Sequence, residues 1–356
     1  MSDGPMRILV VDDSRIFRSV VQSAFSGMVD CQVVGSVFSG KKALEFLEQN
    51  KVDLITLDVE MPEMNGLEVL RAMQERFGER APAVVMLSAH TRTGAKVTIE
   101  ALSAGAVGFV TKPEAGDVRS AMATLSADLR AEVDAVRQSH RGRSVEMVAA
   151  QLPTRQAPSR RDNAGIILIG SSTGGPQALT SLLPPLCGMC GCPIIVVQHM
   201  PPLFTKSLAD NLDRHCQHKV VEAGDRMAIE DEHVYIAPGG LHLELAGSGA
   251  ALRCRLSDGA PENGCRPAVD VLFRSAAKAL EGRPMVGVIL TGMGNDGATG
   301  VTLLKSAGAQ ILVQDEGSCV VYGMPKKAKE TGCADAEASL SAMPFAIIDA
   351  LVAFAG

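Results

Sequence analysis

Three short apolar runs in the C-terminal half of this chain, Ile166–Gly170, Ile194–Gln198 and Val286–Leu290, read as buried strands. Each stops at a residue that hydrolytic chemistry uses. Ser171-Ser172-Thr173-Gly174-Gly175 follows the first, His199 the second, and Thr291-Gly-Met-Gly-Asn-Asp296 the third. In an open parallel sheet the carboxyl ends of the strands share one edge, and sites are built in the crevice there. The topology therefore brings a serine, a histidine and an aspartate to one rim, although they stand far apart along the chain. A serine-type hydrolase is the leading reading.

The chain has 356 residues, 46% of them hydrophobic and 21% charged, which is enough for about two domains. A formal charge of −6, without a basic patch interleaved with aromatics, argues against nucleic-acid binding. There is no Trp, and Tyr235 and Tyr322 are the whole tyrosine complement, so stacking platforms are not expected. The start carries an acid rather than a positive n-region, and Ile8–Val11 is too short for a signal peptide. No apolar run reaches the ~18 residues of a membrane span. A cytoplasmic protein is expected, with its nine cysteines reduced rather than paired.

Residues 1–137 alternate β-branched runs with amphipathic stretches, the pattern of a five-stranded parallel α/β sheet. The strands are expected at Arg7–Val11, Gln32–Val37, Asp53–Leu57, Ala83–Leu87 and Gly108–Thr111, with a last helix capped by Asp117 and running to about Arg137. Over 138–163 the periodicity fades into a flexible basic linker holding Pro153, Pro158 and five arginines, best read as a solvated charge run. A second, doubly wound α/β domain with a mainly parallel sheet fills 164–356.

Five residues of the first domain fall at strand ends: Asp12 and Asp13, Asp58, Ser88 and Lys112. Clustered carboxylates repel one another and call for a cation; hard oxygen donors with open positions suit Mg²⁺. An aspartate held against Mg²⁺ can act as nucleophile in phosphoryl transfer. Lys112 would offset the phosphoryl charge, and Ser88 would hydrogen-bond its oxygen. This set resembles the response-regulator receiver domain, flavodoxin-like in fold. The matching stretches are Asp12-Asp13, Leu57-Asp-Val-Glu-Met-Pro62, Asn65-Gly66, Ser88 and Phe109-Val-Thr-Lys-Pro113. The resemblance implies Asp58 as phosphoacceptor, Asp12 and Asp13 as Mg²⁺ ligands, and Ser88 with Phe109 as switch residues.

In the second domain Gly170-Ser-Ser-Thr-Gly174 is a G-x-S-x-G between a strand and a helix, which exposes the central serine. The spacing selects Ser172 as nucleophile; His199 would take its proton, and Asp296 would fix the imidazole tautomer. The order Ser…His…Asp differs from that of α/β-hydrolases, so that fold is not expected. A competing reading uses Gly292-Met-Gly294-Asn-Asp-Gly297, a GxGxxG after a strand, with Asp315 as the acid of a dinucleotide fingerprint. Against it, Asp296 would put a carboxylate into the phosphate loop. Cys187, Cys190 and Cys192 have CxxC-like spacing, but no second Cys/His pair stands near them, so they read as incidental thiols. His215 and His218 read as part of a polar helical stretch.

Taken together, the chain resembles the chemotaxis protein-glutamate methylesterase family, CheB, over nearly its full length. Beyond the receiver set, the resemblance is carried by Gly170-Ser-Ser-Thr-Gly-Gly-Pro176, Gln198-His-Met-Pro-Pro202, Ala237-Pro-Gly-Gly240, Arg266-Pro-Ala-Val-Asp270, Leu290-Thr-Gly-Met-Gly-Asn-Asp-Gly297 and Tyr322-Gly-Met-Pro325. It implies a phosphorylation-activated hydrolase that demethylates glutamate methyl esters of chemoreceptor cytoplasmic bundles, releasing methanol, and deamidates receptor glutamines. It further implies a chemotaxis histidine kinase as phosphodonor, Ser172, His199 and Asp296 as triad, Thr173 and Met293 near the oxyanion, and no cofactor for ester hydrolysis. A phosphorylation-dependent binding module without catalysis is the remaining alternative; the complete triad argues against it.

Overall fold

A computed structural model of the chain describes residues 4–113, 118–139 and 165–354. It divides into two compact units, Met1–Arg141 and Gly142–Gly356. The helix cap expected at Asp117 and all but the first two residues of the expected linker lie outside the described residues.

The first unit runs β1 (Met6–Val11), α1 (Arg15–Ser26), β2 (Cys31–Val37), α2 (Gly40–Gln49), β3 (Leu54–Asp58), α3 (Gly66–Phe77), β4 (Ala83–Ser88), α4 (Arg92–Ser103), β5 (Gly108–Thr111) and α5 (Val118–Ser139). The strands pair in parallel in the order β2-β1-β3-β4-β5. Ile8, Val10, Leu54, Val85 and Leu87 pack against Phe25, Leu125 and Val133 of the covering helices. The loops at the carboxyl edge are short because each following helix is capped at once. Ser14, Ser39 and Thr91 accept from the backbone N–H groups of Phe17, Lys42 and Gly94, and Asn65 with Glu68 makes a full capping box. Such caps are worth about 1 kcal/mol each and fix where the strand-end side chains stand.

The second unit runs β6 (Ile166–Ser171), α6 (Gly175–Met189), β7 (Ile194–Gln198), α7 (Phe204–Asp213), β8 (Lys219–Glu222), β9 (His233–Ile236), β10 (His242–Ala246), β11 (Arg253–Ser257), α8 (Val269–Ala279), β12 (Met285–Ile289), α9 (Ala298–Ser306), β13 (Gln310–Gln314), α10 (Met324–Glu330), β14 (Ala336–Ala338) and α11 (Met343–Ala353). Seven strands form one sheet in the order β14-β13-β12-β6-β7-β9-β8, and every pairing in it is parallel. β10 and β11 make a separate antiparallel hairpin. From β6 the chain first builds outward through β7, then returns to lay β12 on its other side. β6 is therefore the switch point of the sheet, the place where the loops of neighbouring strands part and leave a crevice. The loops after β6, β7 and β12 all open there. β6, β7 and β12 are buried along their whole length, as strands covered on both faces must be.

Candidate active site and acidic cluster

In the first unit Asp12 and Asp13 follow β1, and Asp58 closes β3. Asp12 and Asp58 are buried and Asp13 is exposed, with donor oxygens of all three within 4.8 Å of one another. Lys112, just past β5, places its ammonium 2.7 Å from Asp12 Oδ2 and 2.8 Å from Asp58 Oδ2. The same Nζ lies 4.7 Å from the centre of the Phe17 ring. Burial raises the Asp58 carboxyl to about 6, against the lowering effect of Lys112. Burial alone would lower Lys112, but its bonds to Asp12 and Asp58 outweigh this and hold it above the ordinary lysine range. Ser88 is buried and donates to the carbonyl of Ala89 at 3.2 Å; Phe109 is half-buried on β5. This donor set fits Mg²⁺: hard carboxylate oxygens, with exposed Asp13 leaving one side open to water and phosphate.

The second site is assembled by buried polar residues that stitch loop to loop. Ser171 donates its hydroxyl to Gln198 Oε1 at 2.7 Å, and Gln198 Nε2 donates to the carbonyls of Ser172 at 2.9 Å and His199 at 3.0 Å. The His199 backbone N–H returns to the Ser171 carbonyl at 3.1 Å. A Cβ on Gly175 would stand 1.9 Å from Gln198 Oε1, so only glycine lets α6 begin here. From the other side, Ser172 N–H donates to the Thr291 carbonyl at 3.0 Å, and the Thr291 hydroxyl donates to the Thr173 carbonyl at 3.0 Å. Gln314 accepts from Thr291 N–H at 2.8 Å. A Cβ on Gly292 would meet Ser172 Cβ at 2.8 Å and Met324 Sδ at 2.4 Å, so the β12 loop rests directly on the serine.

His199 Nε2 lies 2.7 Å from Asp296 Oδ2. Asp296 also accepts from the N–H groups of Val269, Asp270 and Gly297 and from Asn263 Nδ2, at 2.6 to 3.1 Å. Burial would raise its carboxyl, but the His199 bond and these donors hold it below the ordinary aspartate range. Burial likewise works against the His199 imidazolium, yet Asp296 and Cys265 raise the ring to about 9. Cys265 comes from the segment ahead of α8, across a tight turn in which Asn263 and Gly264 both take positive φ. Its sulfur lies 3.4 Å from His199 Nδ1. Among the described residues no hydrogen bond joins Ser172 Oγ to His199, so the thiol holds the ring nitrogen that a serine would use. Thr173 is half-buried and Met293 is exposed; among the described residues the backbone N–H of each has no acceptor.

Gln198, Thr291, Gln314, Asn263 and Cys265 were not anticipated from sequence. Gln198 and Gln314 carry a readable signal, a polar residue closing a fully buried strand. Asn263-Gly264 is a standard tight-turn pair, but nothing local says that the turn delivers a thiol to His199. Within the GxGxxG stretch the Asp296 carboxylate accepts from Gly297 N–H, while its other donors come from outside the loop. Asp315 caps a short turn, accepting from the N–H and hydroxyl of Ser318. Cys216 and His218, distant in sequence from the cysteine-rich stretch, lie near Cys187 and Cys190 in the structure, although among the described residues no three donor atoms of this group come mutually within 4.8 Å. His218 is not on a polar helix; it follows α7, directly before β8, and is 1% exposed.

Residues 167–347 match the CheB methylesterase family, and residues 8–123 match the response regulator receiver domain. A protein-glutamate methylesterase/protein-glutamine glutaminase of Desulfotalea psychrophila is 40% identical over 93% of this chain and 94% of its own. Another, numbered 1, of Caulobacter vibrioides is 44% identical over 97% of each. The catalytic domain of Thermotoga maritima CheB methylesterase, a crystal structure, is 41% identical over 52% of this chain and 97% of that one, with a TM-score of 0.49.

Proposed function

The chain belongs to the CheB methylesterase family, and from that membership we propose that it hydrolyses glutamate methyl esters on chemoreceptor cytoplasmic bundles, and deamidates glutamines there, under control of phosphorylation at Asp58. The observation that carries the reading is the 2.7 Å His199–Asp296 pair on the same rim as a serine pinned from both sides.

Ser172 Oγ attacks the ester carbonyl while His199 takes its proton. With Nε2 committed to Asp296, the accepting nitrogen is Nδ1, which must exchange Cys265 for Ser172 in the reactive state. Asp296, held ionised by its donors, stabilises the imidazolium that forms. The N–H groups of Thr173 and Met293 receive the oxyanion; losing one such donor typically costs about 3–4 kcal/mol of barrier stabilisation. The C–O bond breaks, methanol leaves with the proton from His199, and water, deprotonated by the same ring, releases glutamate from Ser172. A glutamine side chain follows the same course with ammonia as leaving group.

In the first unit Asp12, Asp13 and Asp58 would hold Mg²⁺, which would supply charge neutralisation for phosphoryl transfer. Asp58 accepts the phosphoryl group from a chemotaxis histidine kinase. Lys112, already bonded to Asp58, pairs with the added charge, Ser88 hydrogen-bonds a phosphoryl oxygen, and Phe109 responds as the switch residue. No described helix is long and apolar enough to cross a membrane, and a cytoplasmic location agrees with the substrate and the phosphodonor.

Incubation with methyl-labelled receptor, with and without acetyl phosphate, tests the reading. Labelled methanol is expected in both, in larger amount with the phosphodonor. A chain that binds receptor but never releases methanol would be a binding module instead.

A further inference from the structure

The edge of the seven-stranded sheet opposite the Ser172 rim carries a set of side chains that ester hydrolysis does not use. Cys187 lies in the last turns of α6, Cys190 and Cys192 lie in the connection into β7, and His218 stands directly before β8. None of the four is more than 1% exposed. Their backbone is firmly held: Cys190 N–H donates to the Leu186 carbonyl at 3.1 Å, Glu232 N–H to the Gly191 carbonyl at 2.8 Å, and Ile167 N–H to the Pro193 carbonyl at 3.1 Å.

The side chains adjoin one another. Cys190 lies near Cys192 and against the His218 imidazole. The backbone N–H of His218 faces the Cys187 sulfur, and Cys216 meets Cys187 from the half-buried rim. Yet neither Nδ1 nor Nε2 of His218 has a partner of hydrogen-bonding geometry among the described residues, although both atoms are buried. An orphaned buried polar group typically costs about 1–3 kcal/mol and calls for an explanation such as an ion.

Thiolates with an imidazole are the donor set of Zn²⁺, and four wholly buried donors make a closed, structural site rather than a catalytic one. We propose that Cys187, Cys190, Cys192 and His218 form a structural zinc site that fastens the α6–β7 connection to the segment ahead of β8. Among the described residues only the Asp12, Asp13 and Asp58 group brings three donor atoms mutually within 4.8 Å. The four donors of the proposed site therefore stand further apart here than a bound ion would hold them; zinc would have to draw them in, displacing thiol protons and binding His218 as neutral imidazole. This site is independent of the esterase reading.

Full-length protein, isolated in reducing buffer and desalted, should retain a single zinc per chain by elemental mass spectrometry. After exchange into cobalt(II) it should show thiolate-to-cobalt charge-transfer absorption, which the oxygen donors around Asp58 cannot produce. Cys190→Ser and His218→Ala should lose the zinc and weaken that absorption, while Cys254→Ser, a buried thiol elsewhere, should keep both. The wild-type spectrum is decisive even if a variant fails to fold. Wild-type chain that keeps no zinc and gives no charge-transfer band on cobalt titration overturns the site. So does a band unchanged by both variants, or an intact mass showing a disulfide among these thiols.

Discussion

His199 is pulled two ways. Burial opposes its charged form, whereas Asp296 and Cys265 favour it strongly enough to raise the ring to about 9. Only neutral imidazole can take a proton from Ser172. The limb of kcat/KM governed by this group should therefore rise with pH and level off near 9, well above the ordinary 6.5 of histidine. Cys265→Ala should shift that limb downward; a limb that does not move would sever the thiol from the base. The same shift bears on stability. A raised folded-state value stabilises fully below about 6.5, and the contribution fades as pH climbs through 9. His199→Gln should flatten the fall in thermal midpoint across that window. The proposed Ser172, His199 and Asp296 could be picked out in sequence because Ser172 and His199 begin the loops after buried strands and Asp296 closes the loop after a third. Cys265 could not, because its contact depends on a turn and on the distant packing of α8.

At the scale of elements, the site is a set of strand ends sewn together by buried amides and hydroxyls. Gln198 spans β6 and β7 by holding the carbonyls of both Ser172 and His199. Gln198→Leu keeps the volume but frees both carbonyls, and a displacement near 1 Å can cost about 10²-fold in rate. The expected result is a fall in kcat on that order with the fold retained by circular dichroism; unchanged kcat would show the clamp to be dispensable. Gly175→Ala should act through the same amide, since its methyl collides with Gln198 Oε1. The strands themselves could be read directly, because burial on both faces leaves unbroken apolar runs. Their order could not: pairing β12 with β6 joins segments more than a hundred residues apart, which only tertiary structure decides. The cysteine-rich edge was misjudged for the same reason, since His218 reaches it through β8 rather than through sequence proximity.

At the scale of the whole molecule, one chain carries an acidic cluster, the proposed phosphoacceptor site, in one compact unit and the His199–Asp296 pair, part of the proposed triad, in the other. Asp58→Asn removes the proposed acceptor carboxylate, which lies in a different compact unit from the proposed triad. It should abolish stimulation by acetyl phosphate while leaving basal methanol release; stimulation that persists would place the phosphoryl effect elsewhere. Both units were recognisable in sequence because their strand-end chemistry is dense and ordered. The most direct test lies in the nucleophile, since among the described residues Cys265 rather than Ser172 hydrogen-bonds His199. Labelled methanol should be measured from methyl-labelled receptor with wild-type protein, Ser172→Ala and Cys265→Ala side by side. Ser172→Ala should lower turnover on the order of 10⁶-fold, while Cys265→Ala keeps most of it. Near-normal release by Ser172→Ala, with collapse in Cys265→Ala, would contradict the account.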